Sequence, residues 1–528
     1  MQLDTVYEEA RTRWGKPLAG LTILAAEHMQ ALPFGTQLLA MLGADVIKVE
    51  PPGGEAGRAA LPTVPLPDGS TVGGTFARNN LNKSSIVLDL KNPDGKATFL
   101  RLAERADVVA ENMRPGVMER LGLGYDDVAA VVPGIIYVSV SGFGNRTPSP
   151  YKSWPAYAPV AESMAGLYEL GRRPDEPLRT GIAGALADNV AALYATIGIL
   201  TALRHRDVSG VGQHVDISML DAMIATNDLY PQLWSLGLPA STATGRGTGI
   251  MATFRAADGE FLISVIREHQ LARLATLVGR PEWVDDPRLA DRADWSDHVE
   301  DMIRPEIEAW AVTLTRLSAA TEMAKAGIPS GPCFTMDDIS RDEHVLAHNM
   351  MVELPSGTER PVLMPGNPIK MSRTAEGPLH IYPSPGQHTQ QILSRLLDAH
   401  RLADWLTGAL GTLPPASKVA VVHGDYQLDN LIIDPVGPGV RAILDWEMSR
   451  HACRGQADNE PINAARGIVC RDRCLIRGGG HGGLIRPDHS AAGGAIRRRR
   501  AARASPARPA GGGVRILRRR VGRGQPDV

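Results

Sequence analysis

The 528-residue sequence predicts an α/β fold with a mainly parallel sheet covered by helices on both faces. The first observation behind this prediction is that short apolar runs alternate with amphipathic segments between residues 20 and 145. The second is a long apolar helix that follows residue 188. The third is the composition, 43% hydrophobic and 22% charged, which is typical of a globular protein long enough for two or three domains.

The alternating elements lie in the first third of the chain. Apolar runs predict strands, and amphipathic segments between them predict helices, the first of which is ended by Gly43. The predicted strands are Leu21–Leu24, Val46–Val49, Ser85–Leu88, Val108–Val109 and Ile135–Val140, and the predicted helices are Thr36–Leu42 and Asp94–Arg105. In such a sheet, ligands bind at the carboxyl ends of the strands.

Composition and pattern divide the rest of the chain. Residues 1–225 form the predicted large domain, 226–340 a small domain with a strand at Phe261–Val265, and 341–398 a segment that returns to the large domain. The return segment ends in a predicted helix that begins at His388. The glycines of residues 245–249 do not join a strand to a helix, so they predict a turn rather than a phosphate-binding loop.

One carboxylate stands out in the stretch Gly181–Val190. Asp188 follows small residues and precedes a helix through Leu193, Ile197, Leu200 and Leu203, with no further charge before Arg204. Asp is a favoured N-cap residue, because its side chain accepts the free N–H groups of a first helical turn. The same position stabilises a reactive carboxylate, and carboxylates serve as covalent nucleophiles. The local sequence leaves both interpretations open.

The bulk properties favour a cytoplasmic protein. No apolar run of about 18 residues is evident, so no membrane span is expected. The N-terminal residues carry acids without an apolar signal core, and four cysteines in 528 residues are typical of a reducing compartment. The net charge of −2 conceals an arginine-rich segment over 491–528. We expect no nucleic-acid partner, since arginine runs alone are weak evidence for one.

Four segments together resemble the class III CoA-transferase family, which contains formyl-CoA and carnitine CoA-transferases. They are Leu39–Pro52, Asn82–Leu90, Glu111–Gly116 and Gly210–Asp221, and the resemblance extends over residues 17–397. It implies a Rossmann-like large domain and a smaller α/β domain within a ring-shaped chain. Two such rings interlock as a homodimer, which is a rare exception to the absence of threaded chains.

The resemblance also implies the chemistry. Asp188 matches the family's catalytic aspartate, which attacks an acyl-CoA to give a mixed anhydride and then an aspartyl-CoA thioester. The substrates are an acyl-CoA and a carboxylic acid, with no permanently bound cofactor and no metal. The positions that match CoA contacts are Gln30, Ala31, Asn80, Asn82, Asn112, Met113, Arg114 and Arg120.

The chain departs from the family pattern at three places. A basic CoA-contact residue after the second strand is replaced by Pro51, and the glycine-rich lid of formyl-CoA transferases is not reproduced around residues 245–250. The second departure argues against oxalate as the acceptor. The third concerns α-methylacyl-CoA racemases, which have the same fold and remain the alternative. Tyr157 stands where they carry a proton-shuttling histidine, and this favours the transferase.

A second resemblance lies near the C-terminus. His423–Asn430 and Ile443–Glu447 are similar to the catalytic loops of the aminoglycoside phosphotransferase family, which implies kinase-like roles for Asp425, Asn430 and Asp445. Too few residues precede them for the nucleotide-binding lobe. We therefore interpret 399–449 as a truncated, vestigial fragment. Residues 450–528, rich in Arg, Gly and Ala, are expected to be disordered.

Two origins of the residue 450–528 segment are considered. One is a frameshift in a longer transferase–kinase fusion gene, and resequencing should then reveal an intact kinase continuation in another frame. The alternative is a genuine basic tail that binds nucleic acid.

Overall fold

A computed structural model describes residues 1–396 except residues 8, 171–176, 182–183 and 239–248, together with two two-residue strands further on. The strands are β1 (Thr22–Ala26), β2 (Asp45–Glu50), β3 (Thr63–Pro65), β4 (Thr71–Gly73), β5 (Ser84–Val87), β6 (Val108–Glu111), β7 (Ile136–Ser141), β8 (Gln213–Ser218), β9 (Ile250–Ala256), β10 (Gly259–Val265), β11 (Ser330–Pro332), β12 (Met351–Leu354), β13 (Val362–Pro365), β14 (Leu431–Ile432) and β15 (Ala442–Ile443).

The helices cover the sheets and connect their strands. They are α1 (Pro33–Met41), α2 (Gly74–Asn79), α3 (Pro93–Ala103), α4 (Val117–Leu121), α5 (Tyr125–Val131), α6 (Ala158–Met164), α7 (Leu167–Leu170), α8 (Leu186–Ser209), α9 (Met219–Ala225), α10 (Tyr230–Ser235), α11 (Glu268–Leu277), α12 (Arg292–Asp297), α13 (Arg304–Ala311), α14 (Arg316–Lys325), α15 (Met336–Arg341), α16 (Glu343–Ala347) and α17 (Thr389–Leu396).

The central sheet is six-stranded and parallel, in the order β5-β2-β1-β6-β7-β8. The predicted α/β class is thus confirmed, and the five strands expected before residue 145 form within one or two residues of their predicted bounds. Five of these strands are largely buried on both faces, which is why their sequences are nearly continuous apolar runs. All six residues of β7, for example, are buried. The edge strand β8 is mostly half-buried, and it was not predicted.

Two cores lie against this sheet, one on each face. Ile23 and Ala25 of β1 point to the side covered by α1, α6, α8 and α9. Leu24 and Ala26 point to the opposite side, where α3, α5 and α17 pack. This alternation follows from the two-residue period of a strand.

Helix α8 has 24 residues and passes through the first core. Its alanines form the buried face, and Gly35 of α1 approaches so closely that a Cβ there would lie 2.7 Å from the Ala192 carbonyl oxygen. By length and composition α8 could cross a membrane, which the sequence prediction did not anticipate. In the structure its alanines pack into the first core, whereas Leu193, Ile197 and Leu200 are exposed.

A second sheet has its own core. Strands β9, β10 and β11 are antiparallel, with β10 in the middle, and α11, α13 and α14 cover them. The predicted strand Phe261–Val265 is part of β10, whereas β9 and β11 were not predicted. The domain limits at residues 225, 340 and 398 stay predictions.

The last described part of the chain returns to the central sheet. Lys16 donates its ammonium group to the Ala375 carbonyl at 2.9 Å, and the Asn82 N–H donates to His380 O at 3.0 Å. Helix α17 then places Ile392 and Leu393 in the second core. The predictions for the fragment 399–449 and for a disordered segment 450–528 lie outside the described residues, apart from β14 and β15.

Candidate active site

The site begins where the strand order of the central sheet reverses. Strands β1 and β6 are neighbours, yet the chain proceeds from them toward opposite edges. In sheets of this kind the ligand-binding crevice lies at such a reversal. The loop after β1 carries His28, and the loop after β6 carries Asn112. The Asn112 amide joins them, accepting the His28 N–H at 2.9 Å and donating to the His28 carbonyl at 2.9 Å.

Asp188 lies in the first turn of α8, but it is not the N-cap. The helix begins at Leu186, and the cap position is occupied by Ala185 in a left-handed conformation (φ 63°) with no side-chain cap. The N-cap interpretation of Asp188 is therefore wrong. Glu162 of α6 provides the missing acceptor instead, taking the Ala187 N–H on Oε1 at 3.1 Å.

The carboxylate of Asp188 is thereby left free. Within the described residues it accepts no hydrogen bond, and it is half-buried at the positive end of α8. Removal from water raises its pKa to about 6, and the negative charge of Glu162 adds to that shift. Such a group is ionised at neutral pH yet more basic than an ordinary aspartate, which suits a nucleophile.

Several predicted CoA contacts lie around the same crevice. Gln30 donates its amide to Asn189 Oδ1 at 2.9 Å, which places it one residue from Asp188. Ala31 is buried at the start of the following helix, and the Met113 N–H donates to Glu111 Oε2 at 2.8 Å. The loop after β6 then continues into two exposed arginines, and the described residues offer neither of them an ion pair. They are Arg114 and Arg120.

Two other predicted contacts have side chains engaged in the fold. Asn80 is fully buried, donates to the Phe76 carbonyl at 2.9 Å and accepts from Lys83 at 3.0 Å. Asn82 donates to the Pro378 carbonyl at 3.2 Å and accepts the His380 N–H at 2.5 Å. Their amide groups thus hold the return segment and the buried charges in place. The remaining predicted residues, Asp425, Asn430 and Asp445, lie outside the described residues.

A buried cluster of charges under the β1 loop was not predicted. This ionic cluster consists of Glu27, Lys48, Glu50, Glu55, Arg58 and Lys83. The Glu27 carboxylate lies 2.6 Å from the Lys83 ammonium and 3.7 Å from that of Lys48. Burial disfavours its charge, but the two lysines hold the pKa of Glu27 below its usual value.

The ionic cluster supports the backbone of the site. Glu55 Oε2 accepts the N–H of Met29 at 3.1 Å, and Met29 has φ 61°, a conformation rare for residues other than glycine. The Glu55 Oε1 atom lies 3.4 Å from the Lys48 ammonium. Fixing this strained residue fixes the direction in which the chain continues to Gln30.

Glu111 at the end of β6 is nearly fully buried, and removal from water raises its pKa to about 7. Since the unfolded chain ionises near pH 4.5, this residue's stabilising contribution is present below pH 4.5 and is lost as the pH rises through 7. We therefore expect Glu111→Gln, which retains an acceptor for the Met113 N–H, to be more stable than wild type at pH 8 by up to about 3 kcal/mol.

Urea unfolding of wild type and variant at pH 5 and pH 8 measures this effect. The exposed residue Glu104 offers the control Glu104→Gln, which should show no such pH-dependent difference. An equal stability difference between wild type and Glu111→Gln at both pH values would contradict the prediction.

Fold and site together define a doubly wound α/β protein. Near the reversal of its strand order lies a carboxylate, that of Asp188, which takes no part in capping its helix. The family model for CoA-transferase family III matches residues 18–389. The chain belongs to this family and is a CoA-transferase, as the resemblance in the sequence implied.

Relatives from bacteria match over most of their length. The acetyl-CoA:oxalate CoA-transferase of Acetobacter aceti is 36% identical over 364 residues, 67% of this chain and 89% of the relative. The formyl-CoA:oxalate CoA-transferase of Rhodopseudomonas palustris (strain BisB18) is 33% identical over 77% of this chain and 100% of the relative. The succinyl-CoA–L-malate CoA-transferase beta subunit of Chloroflexus aurantiacus is 31% identical over 72% of this chain and 94% of the relative.

Solved structures agree with the fold. A CAIB/BAIF family protein from Brucella suis superposes with a TM-score of 0.62 at 30% identity, covering 72% of this chain and 99% of its own. Rv3272 from Mycobacterium tuberculosis superposes with a TM-score of 0.61 at 29% identity, covering 71% of this chain and 98% of its own.

A second family model, that of the phosphotransferase enzyme family, matches residues 368–455. It confirms the second resemblance and overlaps the CoA-transferase match over residues 368–389. The described part of this region, up to residue 396, packs on the central sheet through α17.

Two parts of the site, Glu162 and the ionic cluster, were not predicted from the sequence. Glu162 stands alone as an acid among the small and apolar residues of α6, and this isolation was its only local signal. The ionic cluster was harder to find, because its members come from four separate segments. Lys48 and Glu50 flank Val49 in β2, and only the structure shows which charged groups from the other segments meet them there.

Proposed function

We propose that the enzyme transfers CoA from an acyl-CoA to a carboxylic acid, with Asp188 as the covalent nucleophile. The observation that carries this proposal is the free carboxylate at the start of α8, whose capping role Glu162 has taken over. A positive helix end, a raised pKa and partial burial all favour attack on a thioester carbonyl.

The proposed reaction balances without a net proton. An Asp188 oxygen bonds to the acyl carbonyl carbon, and the C–S bond breaks to release CoA thiolate. The thiolate attacks the aspartyl carbonyl of the mixed anhydride, which releases the donor acid and leaves an aspartyl-CoA thioester. The acceptor carboxylate then attacks this thioester and displaces the thiolate. Finally, the thiolate takes the acceptor acyl group and frees Asp188.

The other site residues fit the binding of CoA. Gln30 lies beside the nucleophile, whereas Asn112 and Met113 line the neighbouring loop. The guanidinium groups of Arg114 and Arg120, which have no ion pair within the described part of the chain, suit the phosphates of CoA, since guanidinium binds phosphate bidentately. The loop N–H groups and the first turn of α8 are candidate donors for the tetrahedral oxyanion.

Two experiments test the proposed function. A panel of acyl-CoA donors is paired with carboxylic acids, including succinate, oxalate and L-malate, and the new thioester is measured. Oxalate belongs in the panel because two relatives are named for it, although the lid prediction argued against it. Treating the donor-loaded enzyme with hydroxylamine or borohydride should then modify Asp188. Failure of every pair to exchange would overturn the proposal.

A separate experiment tests the racemase alternative. Tyr157, which replaces the racemase histidine, is 75% exposed at the N-terminus of α6 and has no acid or base role in the proposed reaction. Deuterium exchange at the α-carbon of a 2-methylacyl-CoA, without an acceptor acid, should be undetectable. Rapid exchange would support the racemase instead.

We further propose that two copies form the active enzyme in the cytoplasm. An exposed apolar stripe on α8 supports pairing, with Leu193, Ile197 and Leu200 at 45%, 58% and 39% exposure. The free thiol of Cys333, the one cysteine in the described residues, suits a reducing compartment. Light scattering of the purified enzyme should give the mass of a dimer.

We expect the pH dependence of the exchange to report Asp188. Because its pKa is raised to about 6 and the carboxylate must be ionised to attack, kcat/KM should fall as the pH drops through 6. The measurement is the initial exchange rate from pH 4.5 to 8.5 at low acyl-CoA concentration. A profile that is level from pH 7 to pH 5 would contradict the expectation.

A further inference from the structure

Glu162 occupies a position with two connections to the nucleophile. It lies on α6 with 2% exposure, and both of its carboxylate oxygens are engaged. Oε1 accepts the Ala187 N–H at 3.1 Å, and Oε2 accepts the Tyr168 hydroxyl at 2.7 Å. One buried side chain therefore joins α6, α7 and the first turn of α8, which carries Asp188.

Gly181, which precedes α8 in the chain, also contacts this pair. A backbone hydrogen bond from Gly181 reaches the Tyr168 hydroxyl. A Cβ on Gly181 would lie 3.2 Å from the Tyr168 ring, which is tighter than ordinary contact, and at a normal contact distance of 3.8 Å from Glu162 Oε2. Glu162 and Tyr168 thus support the chain at Gly181, shortly before it enters α8.

The capping geometry explains why Asp188 is available. The first turn of a helix has free N–H groups, and an aspartate there commonly uses its carboxylate to bond them. Ala185 cannot cap with its side chain, so without Glu162 the Ala187 N–H would lack this partner. A buried acceptor from another helix satisfies that donor and leaves the aspartate oxygens unbonded.

We propose that Glu162 is a positioning residue for the transferase reaction, fixing the first turn of α8 and acting on the Asp188 carboxylate through its charge. This inference rests on the proposed nucleophilic role of Asp188. Of the charged groups in the described residues, Glu162 is the one whose charge reaches Asp188, whereas the neighbouring polar side chains of Gln30 and Asn189 are neutral.

The electrostatic effect has a definite sign. A nearby negative charge makes a carboxylate harder to ionise and more basic. Removing that charge without removing the hydrogen bonds should make Asp188 less basic, and hence ionised to lower pH but weaker as a nucleophile. Removing the hydrogen bonds should instead disorganise the turn and lower kcat without such a shift.

Glu162→Gln separates the two effects. Its carbonyl oxygen can accept the Ala187 N–H, and its amide can donate to the Tyr168 oxygen, so the cap persists while the charge is lost. We expect the acid limb of kcat/KM to move down by about half a pH unit or more, with a several-fold lower plateau. Tyr168→Phe keeps the charge of Glu162 but removes the hydrogen bond from the Tyr168 hydroxyl. It should therefore lower kcat and leave the acid limb of kcat/KM at its wild-type pH.

Further measurements make the test decisive. If Glu162→Gln does not fold, Glu162→Asp retains the charge on a shorter arm and should lower kcat with little movement of the limb. Suppose that the acid limb of kcat/KM does not move in Glu162→Gln while Asp188→Ala is inactive. That result would overturn the proposed role of Glu162 and leave the nucleophilic role of Asp188 standing. Full exchange by Asp188→Ala would overturn the proposed nucleophile first.

Discussion

Asp188→Ala is expected to abolish CoA exchange, with kcat/KM lower by about 10⁴-fold or more, because no covalent intermediate can form. The fold should persist. Asp188 accepts no hydrogen bond among the described residues, and Glu162 caps the first turn of α8 without it. Removing a half-buried carboxylate with a raised pKa should even stabilise the protein slightly near pH 8, where its charge is costly.

The measurement is formation of the new acyl-CoA by the donor and acceptor pair that wild type uses best. Asp207→Ala makes the same chemical change on an exposed position of the same helix, and it should keep normal activity. Hydroxylamine should give no modification at position 188 in the alanine variant. Asp188→Ala with more than a tenth of wild-type activity would exclude the covalent mechanism.

Lys83→Met is expected to be the most destabilising single change in the site region, by about 3–5 kcal/mol. Lys83 donates to Glu27 at 2.6 Å, to the Pro33 carbonyl at 2.9 Å and to Asn80 at 3.0 Å. Without it Glu27 would keep only Lys48 as a neutralising partner, at 3.7 Å, and would remain buried. The cost arises mainly from this uncompensated charge rather than from the lost attraction.

Urea unfolding at pH 7 measures this loss. Lys325→Met provides the control, because Lys325 also pairs with a glutamate at 2.7 Å but is exposed. Surface pairs contribute about 0–1 kcal/mol, so the control should differ little from wild type. Equal effects of the two substitutions would show that the ionic cluster is not a stabilising unit. Because β1 and its loop depend on Glu27, the Lys83 variant should also lose activity before it unfolds completely.

Five strands of the central sheet were predictable because they are largely buried on both faces, and a strand such as β7 therefore reads as an apolar run. The sixth strand, β8, is mostly half-buried and polar, and it was missed. Asp188 was found as a lone charge at a helix start, but the sequence left open whether it caps the helix, and the structure excludes that role. Capping depends on which acceptors approach the helix in space, and here Glu162 comes from 25 residues upstream. No local pattern records such an approach.

The ionic cluster also depends on contacts between segments that are distant in the sequence. Lys48 and Lys83 look like ordinary surface lysines until β2, which carries Lys48, is placed next to β5, which Lys83 precedes. Strands β9 and β11 were missed for a simpler reason. Both border a short sheet whose outer residues are partly exposed, so their apolar signal is interrupted by polar residues.

The return of the chain to strand β5 has a consequence for synthesis on the ribosome. The N–H of Ser85 donates to a ring nitrogen of His388, which lies 303 residues later in the chain. The N–H of Gly386 donates to the Ser85 hydroxyl. At roughly 5–20 residues per second, translation separates these partners by roughly 15–60 s. During that interval one edge of the nascent sheet lacks its cover, a situation in which chaperones protect growing chains.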